Sequence, residues 1–492
     1  MALDNFANRL STIFRRRSDS TAEQAFLKAA ADMGSERLAC YQRFEDYYGG
    51  EHKVQLSARA REYLEASGLR FAENFCDVIV DSKADALAVR GFDSDDQGMR
   101  EFARELWREN RMDATQKRIH RGAVKLGDYF VIVEPREGKL PKICPNHPGQ
   151  VKAVYDSDEM LYASKHWTTT RPSVSNPDGA AIRRLNVYWP AEIEKWYAPY
   201  EDGAWLPYVA EGDEGNVIFW TMDGTPGGEP IGIPVVHFAD RPNPHHGCSK
   251  LRGVIPQQDA LNKSLVDLFW VMDAQGWPQQ WMTGVGAGGQ VKRHPGSLWE
   301  IESDTAKVGQ LAAADPTKVV EAIESQIKRM ASRSNTPLHQ MLAGGQLPSG
   351  ETLKTSESGY VREGRDSQTE MGNRYEDVVL IAARVTNAFD NSRAVSEDAS
   401  LDTRWEDVET RNEVDEANVA VLKQTLGVST DTLLAELGYD PEKEREQRES
   451  EIPAVADELL ERAQQMQQAP TRSEEAGGGE QPAQKPRNRV AK

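Results

Sequence analysis

Asn335-Thr336-Pro337-Leu338-His339-Gln340-Met341-Leu342-Ala343-Gly344-Gly345-Gln346-Leu347-Pro348-Ser349-Gly350 carries three glycines, no formal charge and a single titratable group, His339. The elements on either side of this stretch decide the fold. Upstream, Asp315-Pro316 opens a helix, with Asp as N-cap and Pro at the first helical position. Its apolar stripe is Val319, Val320, Ile323, Ile327 and Met330, and Asn335-Thr336-Pro337 ends it. Downstream, a helix begins near Ser349 and runs for forty-odd residues, or roughly 65 Å at ~1.5 Å per residue. Its second half carries Met371, Tyr375, Val378, Ala382, Val385 and Phe389, alternately four and three apart, which is a packing seam. Its first half is polar and contains Gly359 and Gly364, with Gly372 just beyond; each costs ~1 kcal/mol against alanine, so a bend is expected there.

An earlier helix occupies roughly 250–275, with Leu261, Leu265, Leu268, Phe269 and Met272 on one stripe. Asp259 lies four residues before Lys263 on another face, the spacing of a helical ion pair. Gly276-Trp277-Pro278 stops this helix. Residues 276–315 then hold two strand-like pieces, Gln280–Thr283 and Ser297–Ile301, joined by a glycine-rich turn. The order is therefore helix, excursion, helix, uncharged loop, long helix. A subunit that lines a channel needs such an order, with two helices that descend and return and a loop that projects.

The N-terminal half mixes helices and strands, giving a helix-rich α+β chain. Helices are expected over 21–48, 71–88 (stripe Phe75, Ile79, Leu87) and 98–125. Tyr129-Phe130-Val131-Ile132-Val133 is a strand that Glu137-Gly138-Lys139 turns back on Lys142-Ile143-Cys144. Short strands follow near 151–156, 160–168, 183–189, 192–198, 216–221 and 234–238, separated by turns such as Asn176-Pro177-Asp178-Gly179. Tyr188, Trp189, Trp196, Tyr197, Trp205 and Trp220 suit the core of a small antiparallel sheet. A strand around Trp405 leads to helices at 411–426 and 430–437, and from about 467 the composition is that of a disordered tail.

Composition narrows the function. The 492 residues are 39% hydrophobic, enough to bury real cores, yet no apolar run approaches the ~18 residues of a membrane span. No signal peptide is legible at the N-terminus, so a soluble protein made in a cytoplasm is expected. The net charge of −19 argues against a tight grip on nucleic acid, which rests on many Lys/Arg–phosphate contacts. Cys40, Cys76, Cys144 and Cys248 are scattered without a CxxC pair and are expected to be free thiols. Gly284-Val285-Gly286-Ala287-Gly288-Gly289 satisfies GxGxxG, but Gln290-Val291-Lys292-Arg293-His294-Pro295 after it is a poor helix opening for a dinucleotide site. His237, His245, His246 and Cys248 lack a second pair at zinc spacing, so no metal is expected. Asp93, Asp95 and Asp96 before Gly98 lack the terminal Glu of a calcium loop. Neither a Walker lysine nor HExxH nor GxSxG occurs, so neither catalysis nor a cofactor is expected.

Several short strings, in order, resemble the portal protein of tailed double-stranded-DNA bacteriophages. They include Tyr47-Tyr48-Gly49 with His52, Asn74 with Val78-Ile79-Val80-Asp81, Gly91-Phe92, Gly127-Asp128-Tyr129-Phe130-Val131-Ile132-Val133 and Tyr155-Asp156. Pro234-Val235-Val236-His237-Phe238, Ser249 through Gln258-Asp259-Ala260-Leu261-Asn262, and Ser349-Gly350-Glu351-Thr352-Leu353-Lys354 continue the series. The resemblance spans about residues 40 to 440; at Thr352 an alanine is commoner in the family.

The resemblance implies a homo-oligomeric ring of about twelve subunits at one capsid vertex, assembled in the host cytoplasm and kept in the virion. Double-stranded DNA would pass through it. The terminase large subunit, a head–tail adaptor, and the major capsid and scaffolding proteins would be its partners. On this map residues 1–247 and 351–408 form a wing, 248–275 and 316–334 two stem helices, and 276–315 a small β-containing clip. Residues 335–350 form a tunnel loop and 409–466 a helical crown. Leu338, His339, Gln340, Met341, Leu342, Gly344, Gly345, Gln346 and Leu347 would face DNA, and Lys328, Arg329 and Arg333 are candidate basic groups of the lumen. Trp277, Trp281, Lys292, Arg293 and Trp299 are candidates for clip or partner contacts. Leu261, Leu265, Leu268, Phe269, Met272, Val320, Ile323 and Ile327 would pack neighbouring stems. A packaging enzyme and a non-channel capsid or tail scaffold are the competing classes.

Overall fold

A computed structural model describes residues 20–54, 58–67, 73–170, 179–199, 203–210, 215–242, 246–276, 280–283, 305, 307–310, 315–342, 350–389, 395–409, 413–436 and 444–445. The chain divides into two units, Met1–Val408 and Glu409–Lys492.

The first unit opens with helices α1 (Ser20–Ala31), α2 (Ser35–Tyr48), α3 (Ala58–Ser67) and α4 (Cys76–Asp85). Strand β1 (Val89–Asp93) and helices α5 (Gln97–Glu109) and α6 (Met112–Leu126) follow. Two expected helices are each broken in two. Gly34, at φ 76°, separates α1 from α2, and Arg111, at φ 52°, separates α5 from α6. A left-handed residue cannot continue a right-handed helix. The helix expected over 71–88 is confined to α4, where Cys76, Ile79, Val80, Lys83 and Ala84 are buried. The acidic stretch before Gly98 serves as a helix cap: Asp96 accepts from the Gly98 amide at 2.8 Å as N-cap of α5, and Asp95 accepts from Ser400 Oγ at 2.9 Å.

The principal sheet is antiparallel in the order β10 (Val235–Ala239), β2 (Asp128–Arg136), β3 (Lys139–Asn146). Central strand β2 is buried at six successive positions, which explains its unbroken apolar run. Helix α6 and the long helix α10 (Gly350–Phe389) both pack on it. A second antiparallel sheet runs β4 (Val151–Asp156), β5 (Glu159–Thr169), β6 (Ile182–Tyr188), β7 (Glu192–Ala198), β8 (Leu206–Pro207), with β9 (Val217–Phe219) also on β7.

The tryptophans expected to share one core divide between two. Trp220 and Tyr188 lie in the principal core, whereas Trp189, Trp196 and Trp205 form a smaller one with Leu27 and Ala30 of α1. There buried Glu194 accepts both the Trp189 and Trp196 indole N–H groups, at 2.9 and 3.0 Å. Burying a carboxylate is costly unless its lone pairs are met, and these indoles meet them.

A short 3-10 turn (Lys250–Gly253) leads into α7 (Ile255–Gly276). Strands β11 (Gln280–Thr283) and β12 (Lys307–Gln310) then pair antiparallel. The second strand of this excursion was expected at Ser297–Ile301, which lies outside the described residues. Helices α8 (Pro316–Ser334), α9 (Leu338–Met341) and α10 follow, then β13 (Asp402–Trp405), which pairs with β1. Helix α10 is assigned unbroken over 40 residues. The second unit contains α11 (Glu413–Thr425) and α12 (Thr430–Glu436). Residues 467–492, read as a disordered tail, are outside the described residues. None of the described helices is long and apolar enough to cross a membrane.

Candidate functional site: the paired helices and their anchorage

Helix α8 begins as its sequence requires, with Asp315 accepting from the Thr317 amide at 2.9 Å and Pro316 at the first position. It packs on α7. Ile323, Ile327 and Met330 of its stripe are buried, Val319 is half-buried and Val320 is 41% exposed. On α7, Leu261 is fully buried, Leu265, Leu268 and Phe269 are half-buried, and Met272 is 54% exposed. Val266, outside the expected stripe, is fully buried. Burial therefore fades along α7 away from its start. Between the helices, Gln326 Nε2 donates to Ser264 Oγ at 3.0 Å.

The start of α7 is held by polar side chains. Gln258, with no exposed surface, accepts from the Phe75 amide at 3.0 Å and donates to the Glu73 carbonyl at 2.7 Å. Tyr47 Oη donates to Asp259 Oδ1 at 2.6 Å, and burial pushes the Tyr47 hydroxyl up to about 12, with Asp259 adding to the rise. Fully buried Asn262 meets His52 Nε2 at 3.1 Å, and the His52 ring stacks on Tyr47 with centroids 4.2 Å apart. Lys263 pairs with Asp267 at 3.5 Å, so the expected Asp259–Lys263 pair is replaced: the Tyr47 hydroxyl claims Asp259.

Beside this anchor lies a buried ionic cluster. Lys83 Nζ is 2.6 Å from Asp240 Oδ1 and 3.2 Å from Glu363 Oε1, and Lys250 Nζ is 2.8 Å from the same Glu363 oxygen. Asn335 Nδ2 donates to Glu363 Oε2 at 3.0 Å. Burial alone would raise Glu363, but the ammonium groups of Lys250 and Lys83 outweigh it and hold the carboxyl down at about 2. Burial lowers Lys250 to about 8, against the pull of Glu363. A second hub is Asp128, which accepts from His237 Nε2 at 2.8 Å, Arg37 at 3.0 Å, Tyr41 Oη at 2.9 Å and the Gly247 amide at 2.8 Å. Burial opposes its ionisation, yet the His237 hydrogen bond and charge carry the carboxyl well below the usual range. His237 also meets Tyr155 Oη at 2.9 Å, so it is a structural bridge. All four cysteines are free.

Of the basic trio, Arg333 Nε donates to the Gly253 carbonyl at 3.2 Å and Lys328 lies 3.7 Å from Glu324, one turn away on the same helix. Arg329 is exposed. In the uncharged stretch, Asn335 caps α8 in the left-handed conformation. Leu338, His339 and Gln340 are exposed, and His339 Nδ1 stands 3.5 Å from Glu357. Met341 is turned inward: it is 6% exposed and belongs to the principal core, with Leu342 half-buried against it. An apolar side chain next to the core gains more by burial than by facing water. Gly344, Gly345, Gln346 and Leu347 lie outside the described residues, as do Trp277, Lys292, Arg293, Trp299 and the GxGxxG stretch. Trp281 is 42% exposed and lies over Gly309, where a Cβ would come within 2.4 Å of its ring.

Sequence reasoning missed Lys83, Asp240, Lys250 and Glu363. Nothing local marks them: Glu363 is flanked by Arg362, Arg365 and Asp366, and Lys83 lies between Asp81 and Asp85. It did quote Gln258-Asp259-Ala260-Leu261-Asn262, and the structure gives the string its physical sense: each polar member ties α7 to α2, to His52 or to the backbone before α4.

A family model described as phage portal protein, SPP1 Gp6-like, matches residues 28–468. The chain belongs to this phage portal protein family. The family is structural, not enzymatic, and the fold of this chain is mixed α+β. Among solved structures, the neck of a native gene transfer agent particle computed with C12 symmetry is similar at 12% identity and TM-score 0.40, covering 74% of this chain and 88% of that one. A chain of the native gene transfer agent virion is similar at 12% identity and TM-score 0.41, covering 78% of this chain and all of that one. No curated protein sequence matches the chain.

Proposed function

We propose that this portal-family chain forms a ring-shaped channel at one capsid vertex, through which double-stranded DNA is packaged and later ejected. In this reading the ring is the docking site for a terminase and then for head–tail connector proteins. Residues 1–247 and 351–408 act as wing, α7 and α8 as stem, 276–315 as clip, 335–350 as tunnel loop and 409–466 as crown. The observation that carries the reading is the α7–α8 pair. Its start is locked to the body of the chain, while Met272 and Val320 farther along are exposed apolar side chains suited to a neighbouring subunit.

Electrostatics supports passage. A conduit must let a polyanion slide, and phosphate contacts repeated around a ring would act as a brake. The chain carries −19, its loop has no formal charge, and two of the three basic groups near the end of α8 are already engaged by Glu324 and Gly253. Exposed Leu338, His339 and Gln340 would then meet DNA by sterics and weak contacts.

Electron microscopy of the purified protein tests the reading. Class averages should show a ring with an axial hole of DNA width; a protein without such a hole would be a non-channel scaffold. Within that ring, Gln340→Lys should slow packaging, and unchanged packaging kinetics would remove the loop from the DNA path.

A further inference from the structure

Two chain segments far apart in sequence meet at one carboxylate. The Lys250–Gly253 turn immediately precedes α7, and Asn335 immediately follows α8. Glu363 lies in neither; it belongs to α10. Its Oε1 takes the Lys250 ammonium at 2.8 Å and its Oε2 takes the Asn335 amide at 3.0 Å. Arg333 adds a direct tie, donating to the Gly253 carbonyl at 3.2 Å.

The surroundings leave this carboxylate little alternative. The side chains of Lys83 and Lys250 are 2% and 3% exposed, and Asp240 has no exposed side-chain surface. Lys83 holds Asp240 and Glu363 together, so two ammonium groups face two carboxylates, with Arg241 at the rim 3.3 Å from Asp240. A buried charge that loses its partner is left uncompensated, which makes such a cluster all-or-none. On the other side, Asn335 stands at φ 49°, and a Cβ on Gly359 of α10 would come within 3.2 Å of its Oδ1. The segment after it is pinned by the buried side chains of Thr336 and Met341. A shift of 335–342 would therefore pull on Glu363, and Glu363 can follow only by loosening Lys250.

We propose that Glu363 is a positioning residue that sets where the 335–342 segment stands relative to the start of α7, by gripping Asn335 with one oxygen and Lys250 with the other. The inference rests on the reading of 335–350 as a loop beside DNA for its functional meaning. Under that reading, a push on the loop reaches the base of the first stem helix through Glu363, beside the direct Arg333–Gly253 tie.

Hydrogen exchange on the assembled full-length protein, without DNA, tests it. The reporters are the amides of Thr336, Gln340 and Leu342, bonded to Ala331, Pro337 and Leu338, and those of Arg252 and Val254, bonded to Ser249 and Leu251. Lys250→Met touches none of residues 336–342, yet should speed exchange at Gln340 and Leu342 by about tenfold, and Lys250→Arg should restore protection. Asn335→Gly, which tolerates the left-handed backbone, should speed exchange at Arg252 and Val254. Glu363→Gln should loosen both ends, with no further change when combined with Asn335→Gly. Lys250→Met that leaves 336–342 protected, or Glu363→Gln that loosens one end alone, would overturn the proposal. If Lys250→Met does not assemble, the isosteric Glu363→Gln decides by the same two-ended readout. Because DNA is absent, these outcomes are independent of the Gln340→Lys packaging result, which bears on the loop's place in the DNA path.

Discussion

The two ends of α7 follow different rules. At its start, Gln258, Asp259 and Asn262 are each engaged by a named group of the same chain, and Leu261 is fully buried. Farther along, Leu265, Leu268 and Phe269 are half-buried and Met272 is 54% exposed. Helix α8 shows the same contrast in reverse order, with Met330 buried near its end and Val320 41% exposed near its beginning. One end of the pair is specified within the chain. The other presents apolar surface that a single subunit leaves in water, which is the arrangement expected of a part completed by assembly.

The sharpest way to break this contrast is to strip the anchored end. Asp240→Ala leaves Lys83 with a weakened set of partners in a buried site and should cost about 3–5 kcal/mol of stability, read as a large fall in denaturation midpoint. A loss below about 1 kcal/mol would mean that the cluster is not buried in solution. Acid should act on the same end. Glu363 is held at about 2 in the folded chain against an ordinary 4.5, so its contribution is complete above about pH 4.5 and disappears as pH falls toward 2. Allowing for water at its rim, roughly 2 kcal/mol should go in that window, and Glu363→Gln should flatten the acid limb.

Gly364→Ala should cost about 1–3 kcal/mol, because the new Cβ would lie 2.8 Å from Val408 Cγ1. In an exposed helix the same change would stabilise by ~1 kcal/mol, so the sign of the effect is the test. The smallest effect on folding is expected at the far end. Met272→Asp should leave monomer stability within about 0.5 kcal/mol yet abolish rings in sedimentation and imaging. Rings that persist would show that this surface faces solvent in the assembly.

Much of the fold is legible in the chain because the signals are local. Asp315-Pro316 marked the start of α8, the apolar run at Tyr129–Val133 marked the central strand, and Gly138 marked the turn between β2 and β3. The failures are local signals that lost to single backbone conformations, as at Gly34 and Arg111, where one left-handed residue divides a continuous amphipathic pattern. The pairing of β1 with β13 was half visible: the strand around Trp405 had a pattern, whereas Val89–Asp93 is short, polar at its end and joined to its partner across some three hundred residues. Among the candidate site residues, the apolar stripes could be read by period. The direction in which Met341 turns could not.

By itself the sequence determined the order of elements: helix, excursion, helix, uncharged loop and long helix. Caps, glycine stops and hydrophobic period act over a few residues and need no partner. What the tertiary structure decided is what the exceptional residues are for. Gly359, Gly364 and Gly372, read along the chain as sites of a bend, are places of close approach: a Cβ at Gly364 would meet Val408 at 2.8 Å, and at Gly359 and Gly372 it would crowd Asn335 and Trp405 at 3.2 Å. Lys83, Asp240, Lys250 and Glu363 are unremarkable charges in sequence, separated by 113, 157 and 280 positions in their pairs, and become one buried cluster only when the chain folds. The worth of a buried charge lies in its partner, and its partner is a long-range fact.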